Sequence, residues 1–191
     1  MEADPDLIKK LSHGAVRFEE RGDAVVFHRF TEEQRAVYHG DPDFLLRSFS
    51  DSGVRLEFAT DARAFTFAGA AETASSRDFY YFDVGVNGVL CHHPGYGSFA
   101  EAREFSFRIE LPEGMNHVAV YFPGLAKITL KKLTFSGETR ILPVKRSRRI
   151  VCYGDSITQG YDARHPSLAY TNIVTDALDA EVFNKAVGGD P

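Results

Sequence analysis

Tryptophan is absent from the 191 residues, and cysteine and methionine occur twice each. No apolar run approaches the roughly 18 residues that cross a bilayer, which excludes a helical membrane span. Two cysteines cannot build a disulfide framework and offer no zinc-ligand spacing. Cys152 sits in the apolar run Ile150-Val151-Cys152-Tyr153 and is expected to be a buried thiol acting as a small hydrophobe. A basic excess is also missing: 22 lysines and arginines face 27 acidic residues, for a net charge of −5. A surface built for nucleic acid or an anionic membrane is therefore disfavoured, and the expected partner is a small molecule or another protein. The opening Met1-Glu2-Ala3-Asp4-Pro5-Asp6 is acidic and lacks the cationic-then-apolar layout of a secretory signal, so a cytoplasmic location is expected.

Sixteen phenylalanines and eight tyrosines are present instead, and aromatics in that number favour pleated, half-buried surfaces. From about Gly14 to Gly137 the dominant period is two. Val54-Arg55-Leu56-Glu57-Phe58 alternates, and Phe105 to Leu111 places Phe105, Phe107, Ile109 and Leu111 on one face. Breaks at Asp41-Pro42, Asp51-Ser52-Gly53, Pro112-Glu113-Gly114 and Pro123-Gly124 come at turn-like intervals. Asn87-Gly88 between apolar runs suits a type I′ hairpin. The pattern predicts an antiparallel β-sandwich of jelly-roll type over residues 1–145.

Lys145-Arg146-Ser147-Arg148-Arg149 reads as a solvated linker, and after it the grammar changes. Residues 149–153 read as a strand buried on both faces. Ser167 is placed to cap a helix running through Tyr170, Ile173, Val174, Ala177 and Leu178, and 181–184 return to extended structure. Residues 149–187 thus read as a strand, helix, strand unit within a second region over 146–191, so the chain as a whole is mainly β with an α/β tail.

Gly154-Asp155-Ser156-Ile157-Thr158-Gln159-Gly160 lies between the first strand and the helix of that unit. A serine at the carboxyl end of such a strand sits where open α/β sheets gather ligands, and its backbone N–H is placed to meet an oxyanion. The block resembles the first block of the GDSL or SGNH serine hydrolases, and Asn184-Lys185-Ala186-Val187-Gly188-Gly189-Asp190 resembles the second. The resemblance implies the opening part of a three-layer α/β hydrolase domain. It makes Ser156 the nucleophile and the N–H groups of Ser156 and Gly189 oxyanion donors. Asp155 shapes the turn. The implied chemistry is hydrolysis of small acyl esters, acetyl groups on carbohydrate among them, with no metal or organic cofactor. Some members of the family carry a jelly-roll domain ahead of the hydrolase domain, as carbohydrate acetyl esterases do.

The Gly-x-Asn-Asp block and the Asp-x-x-His block near the C-terminus that give such enzymes a third oxyanion donor, the base and its carboxylate have no match here, and Pro191 stands where threonine is common. The chain is accordingly expected to be a truncated hydrolase, inactive alone, and to self-associate or meet a complementing chain that carries the missing segment. The rival from another class is a non-catalytic sandwich that binds carbohydrate or protein. His165 precedes a proline in a polar loop and is expected to face water rather than serve as the base. Adjacent His92 and His93 would point to opposite faces and cannot jointly chelate an ion. His13, His28, His39 and His117 lack ligand spacing, and Asp162 reads as a loop carboxylate. In Phe79-Tyr80-Tyr81-Phe82 only one alternate set can face a sugar, and core is the expected place for such aromatics.

Overall fold

A computed structural model of the chain describes residues 1–189; Asp190, the last residue of the second block, and Pro191 lie outside them. The strands in chain order are β1 (Ser12–His13), β2 (Arg17–Arg21), β3 (Ala24–His28), β4 (Arg55–Thr60), β5 (Ala64–Thr73), β6 (Tyr80–Tyr81), β7 (Asp83–Val86), β8 (Val89–His92), β9 (Gly95–Tyr96), β10 (Glu104–Glu110), β11 (Asn116–Tyr121), β12 (Ala126–Phe135), β13 (Ile141–Pro143), β14 (Arg148–Cys152) and β15 (Ala180–Asn184). The helices are α1 (Pro5–Lys10), α2 (Glu32–Ala36), α3 (Pro42–Ser48), α4 (Ser156–Gln159) and α5 (Tyr170–Ala177), with a 3-10 turn over Pro166–Leu168.

Two antiparallel sheets face each other. One runs β1-β4-β11-β7-β8 with β13 added to β4, and the other runs β10-β5-β12-β3-β2. Alternation builds their shared core: along β10 Phe105 and Ile109 are buried while Glu104, Ser106, Arg108 and Glu110 face water. Phe67 meets Phe82 edge-on at 5.1 Å, and Phe58 meets Phe65 and Phe135 at 5.4 and 5.3 Å. Such edge-to-face pairs add to the area that each ring buries. Asn87 and Gly88 take φ values of 52° and 81°, the two positive angles a type I′ turn demands between β7 and β8. Tyr80 and Phe82 are core, whereas Phe79 and Tyr81 are half-buried.

Three short helices break the β pattern where punctuation alone was expected. Asp41 accepts from the N–H groups of Asp43 and Phe44 at 2.9 and 3.1 Å, and Pro42 opens α3 behind it. An Asp-Pro pair starts a helix as readily as it ends a strand, because the carboxylate satisfies orphan donors and proline needs none. Asp4 and Pro5 do the same for α1, and Thr31 with Gln34 forms a capping box on α2.

The tail corrects four expectations. β14 and β15 pair in parallel from Arg148↔Ala180 to Cys152↔Asn184, but β14 is not buried on both faces: Val151 is 50% exposed and Tyr153 75%. It has one neighbouring strand, so its other edge is open among the described residues. Cys152 is accordingly half-buried. Ser167 does not cap α5, which starts from Ala169; its hydroxyl goes to Asp83 instead. The apolar stripe of α5 faces outward, with Ile173 and Val174 about half exposed, while Thr171, Asn172 and Thr175 are buried.

Polar chemistry explains that inversion. The tail docks on the outer face of the first sheet, where Arg55 and Glu57 of β4 become fully buried although the alternation marks them as solvent-facing. Arg55 Nη1 reaches Asp176 Oδ1 of α5 at 2.6 Å, and the Tyr121 hydroxyl donates to Asp176 Oδ2 at 2.5 Å. Arg146, expected in a solvated linker, donates to Glu57 Oε2 at 3.0 Å and approaches Asp179 at 3.3 Å. Burial pushes the Glu57 carboxyl up, but the His117 hydrogen bond, the Arg55 charge and the Arg146 hydrogen bond outweigh it and bring its pKa down to about 2.

Candidate active site

β14 ends at Cys152, and Gly154 turns the chain into α4. A Cβ at Gly154 would lie 2.9 Å from Thr158 Cβ, so the exit leaves no room for a side chain. Asp155 is the N-cap of α4, its Oδ1 accepting from Ile157 N–H at 2.9 Å. Ser156 is the first helical residue and only half-buried. Its own N–H falls outside the intrahelical ladder, since a helix leaves its first donors without internal partners. Among the described residues no side chain hydrogen-bonds the Ser156 hydroxyl. Gly160, with φ 97°, closes the helix.

The second block is laid against the first by backbone and side-chain bonds. Lys185 N–H donates to Cys152 O at 2.7 Å and Val187 N–H to Gly154 O at 3.2 Å, continuing the parallel ladder past the strand ends. Gly188 N–H then donates to Oε1 of the buried Gln159 at 2.6 Å. Asn184, also buried, donates to Thr158 O at 2.7 Å and Ser52 Oγ at 2.9 Å, and its Oδ1 accepts from Ala186 N–H at 3.0 Å. Gly189, with φ 89°, is exposed beside Phe44 and Arg47 of α3. The structure therefore brings Ser156's helix and the Gly188-Gly189 segment together through Gln159.

Sandwich residues complete this frame. Arg29 is 1% exposed and donates from Nη1 to Asn184 O at 2.7 Å and Ala186 O at 3.0 Å, and from Nη2 to Ser50 Oγ at 2.9 Å. Burial pulls its pKa down to about 10, against the charge of Asp51, which favours the cation. Arg47 Nη1 donates to Gly188 O at 2.8 Å. Lys185 donates to Arg29 O and Gln34 Oε1, and burial with the nearby Arg29 charge lowers its pKa to about 8. A cleft of about 400 Å³ opens here, lined by Phe30, Gln34, Tyr38, Tyr153, Gly154 and Lys185. None of Arg29, Arg47 or Ser50 carried a local signal, and Ser52 read only as part of a turn. They lie more than a hundred residues from the blocks they hold, whereas Gln159, Asn184, Lys185 and Gly188 were already inside the recognised motifs.

The remaining candidates sort by position. His165 does not simply face water: its Nδ1 lies 3.2 Å from Oδ1 of the buried Asp83. His93 reaches the same oxygen at 2.6 Å, while His92 is exposed. Asp162 is exposed and pairs with Arg77 at 2.8 Å. His117 binds Glu57 at 2.8 Å, and His28 lies between Glu19 and Arg35.

A salicylyl-acyltransferase from a tetracycline biosynthetic pathway has a TM-score of 0.79 with this chain at 23% identity, over 94% of this chain and 52% of its own. A GDSL-like lipase from Bacteroides ovatus scores 0.71 at 16% identity, covering 94% and 55% of the two chains. The chain has the fold these proteins share. A family two carbohydrate esterase from Cellvibrio japonicus, at a TM-score of 0.61 and 17% identity, covers 99% of this chain and 52% of its own. The chain spans about half the length of the solved structures it matches. No protein-family model matches the sequence, and no curated protein does. The resemblance to GDSL or SGNH hydrolases thus holds at the level of the fold, and the neighbours are esterase and acyltransferase enzymes. No described helix is long and apolar enough to cross a membrane.

Proposed function

We propose that residues 1–145 form the sandwich domain and residues 146–191 the N-terminal part of a hydrolase domain that cleaves small acyl esters through an acyl-enzyme on Ser156. The observation that carries this reading is the pairing of the two blocks: Gln159, three residues after the serine, holds Gly188 N–H at 2.6 Å and so sets the Gly188-Gly189 segment opposite the serine's helix. In the proposed reaction the Ser156 oxygen attacks the acyl carbonyl, its proton passes to a base, and the N–H groups of Ser156 and Gly189 hold the oxyanion until the alcohol leaves. Water then reverses the sequence and frees the acid.

Acetyl esters of carbohydrate are the proposed substrate class, supported by the carbohydrate esterase among the neighbours and by the half-buried Phe79 and Tyr81. The base is proposed to come from a segment or chain that packs on the open edge of β14, where Val151 and Tyr153 are exposed. With no imidazole on Ser156 among the described residues, the 191-residue chain is expected to be inactive by itself, because losing a triad member removes several orders of magnitude of rate. Hydrolysis of 4-nitrophenyl acetate tests this. The chain alone should match its Ser156→Ala variant, and a chain extended by a C-terminal segment with its own Asp-x-x-His block should be active only with Ser156. Turnover by the short chain that Ser156→Ala abolishes would show the base reading wrong.

A further inference from the structure

Three side chains from separate segments converge at the seam between the sandwich and the loop that follows the Ser156 helix. Asp83 opens β7 and is fully buried. Its Oδ1 accepts from His93 Nδ1 at 2.6 Å and His165 Nδ1 at 3.2 Å, and its Oδ2 accepts from Ser167 N–H at 2.8 Å and from the Ser167 hydroxyl. The potential ligand atoms of Asp83, His93 and His165 all lie within 4.8 Å of one another. The two imidazole rings are 4.6 Å apart between centroids, and their side chains are 45% and 30% exposed, so an ion can reach them from solvent.

Charge is what this arrangement lacks. A carboxylate removed from water is normally paired with a cation or bound to a metal. Among the described residues Asp83 forms no ion pair with lysine or arginine; its charge partners are the two histidines. Neutral imidazoles leave the buried anion uncompensated. Two nitrogens and one carboxylate oxygen form a borderline donor set that suits zinc, with a fourth position left for water. Ser167 already fixes the second carboxylate oxygen, as a supporting shell does in metal sites. Tetrahedral zinc separates its ligand atoms by about 3.3 Å, so the exposed His93 ring would withdraw by under about 1 Å to admit the ion.

We propose that Asp83, His93 and His165 bind one zinc-class divalent cation, which clamps the loop after the Ser156 helix to the sandwich. Bound ion takes both Nδ1 lone pairs, and each ring keeps its proton on Nε2. The clamp stands independently of the esterase reading, since it uses none of that site's residues.

Calorimetric titration of the full, chelator-stripped chain with zinc chloride tests the site. One ion per chain is expected, with micromolar affinity and a raised melting temperature. His93→Gln and His165→Gln should each weaken binding at least tenfold, whereas His39→Gln should leave it unchanged. In the unaltered chain, nitrogen-resolved NMR should place both rings in the Nε2–H tautomer at zinc saturation, a reading that does not depend on variants folding. No saturable binding up to millimolar zinc, binding that survives the double His93→Gln, His165→Gln change, or rings left in the Nδ1–H tautomer would each overturn the proposal.

Discussion

The sandwich and the tail are held by opposite chemistry. The sandwich closes on an aromatic core in which Phe58, Phe65, Phe67 and Phe82 are 1% exposed or less. The tail buries Val182, Ala186 and Val187 but turns the apolar stripe of α5 outward and docks through Arg55, Glu57, Asp176, Arg146 and Arg29, with Val151, Tyr153, Ile157 and Ile173 left at least half exposed. Hydrophobic burial therefore explains why the first region folds, whereas a network of buried ions and backbone carbonyls explains why the second lies where it does. The difference teaches that the outward apolar stripe of the tail has no covering among the described residues, and that the sandwich residues Arg29, Arg47 and Ser52 add to the tail's own contacts in registering the two hydrolase-like blocks.

The contrast can be broken at its stronger end first. Phe82→Ala removes a ring at the centre of the core and should cost about 3–5 kcal/mol of global stability in denaturant titrations. Arg55→Met removes the fully buried cation shared by Glu57 and Asp176 and should cost about 3 kcal/mol, concentrated in the tail. Hydrogen exchange should then show α5 and β15 losing protection before β5 and β12 do. Equal loss in both regions would mean that the two are one cooperative unit.

Acidification gives a smaller effect with a defined sign. Burial, reinforced by the charges of Arg17 and Arg35, lowers His28 from 6.5 to about 4, so the folded chain keeps it neutral where the unfolded chain protonates it. Stability should fall as pH drops from 6.5 towards 4, and His28→Gln should flatten that stretch of the profile. The smallest effect is expected on the open edge of β14: Val151→Thr should change stability by less than about 0.5 kcal/mol. A larger loss would show that this edge is already covered, by a second copy for instance.

Much of the sandwich was legible because its alternation and turns are local. Phe105 to Leu111 and Asn87-Gly88 each state their geometry within a few residues. Arg55 and Glu57 read as surface because the pattern of one strand cannot say whether a second layer will cover its polar face. Period 3.6 located α5 but could not tell which face would be buried, and the polar face won because Asp176 meets Arg55 and Tyr121 of the sandwich. The motif supplied Ser156, Asp155 and Gly189 as candidates. Arg29, Arg47 and Ser52 were invisible, since nothing in the sequence announces which backbone carbonyls a distant arginine will hold. Asp83 and His165 stayed apart for the same reason, being 82 positions apart in the sequence.

The central claim is that the paired blocks present Ser156 as a nucleophile awaiting a base. Intact-mass analysis after exposure to a fluorophosphonate tests it most directly, on this chain and on one extended by a C-terminal segment with its own Asp-x-x-His block. The account predicts a single adduct mapped to Ser156 in the longer chain, with none in its Ser156→Ala variant and at most slow labelling of the shorter chain. An adduct elsewhere, or none in a folded longer chain, would contradict it.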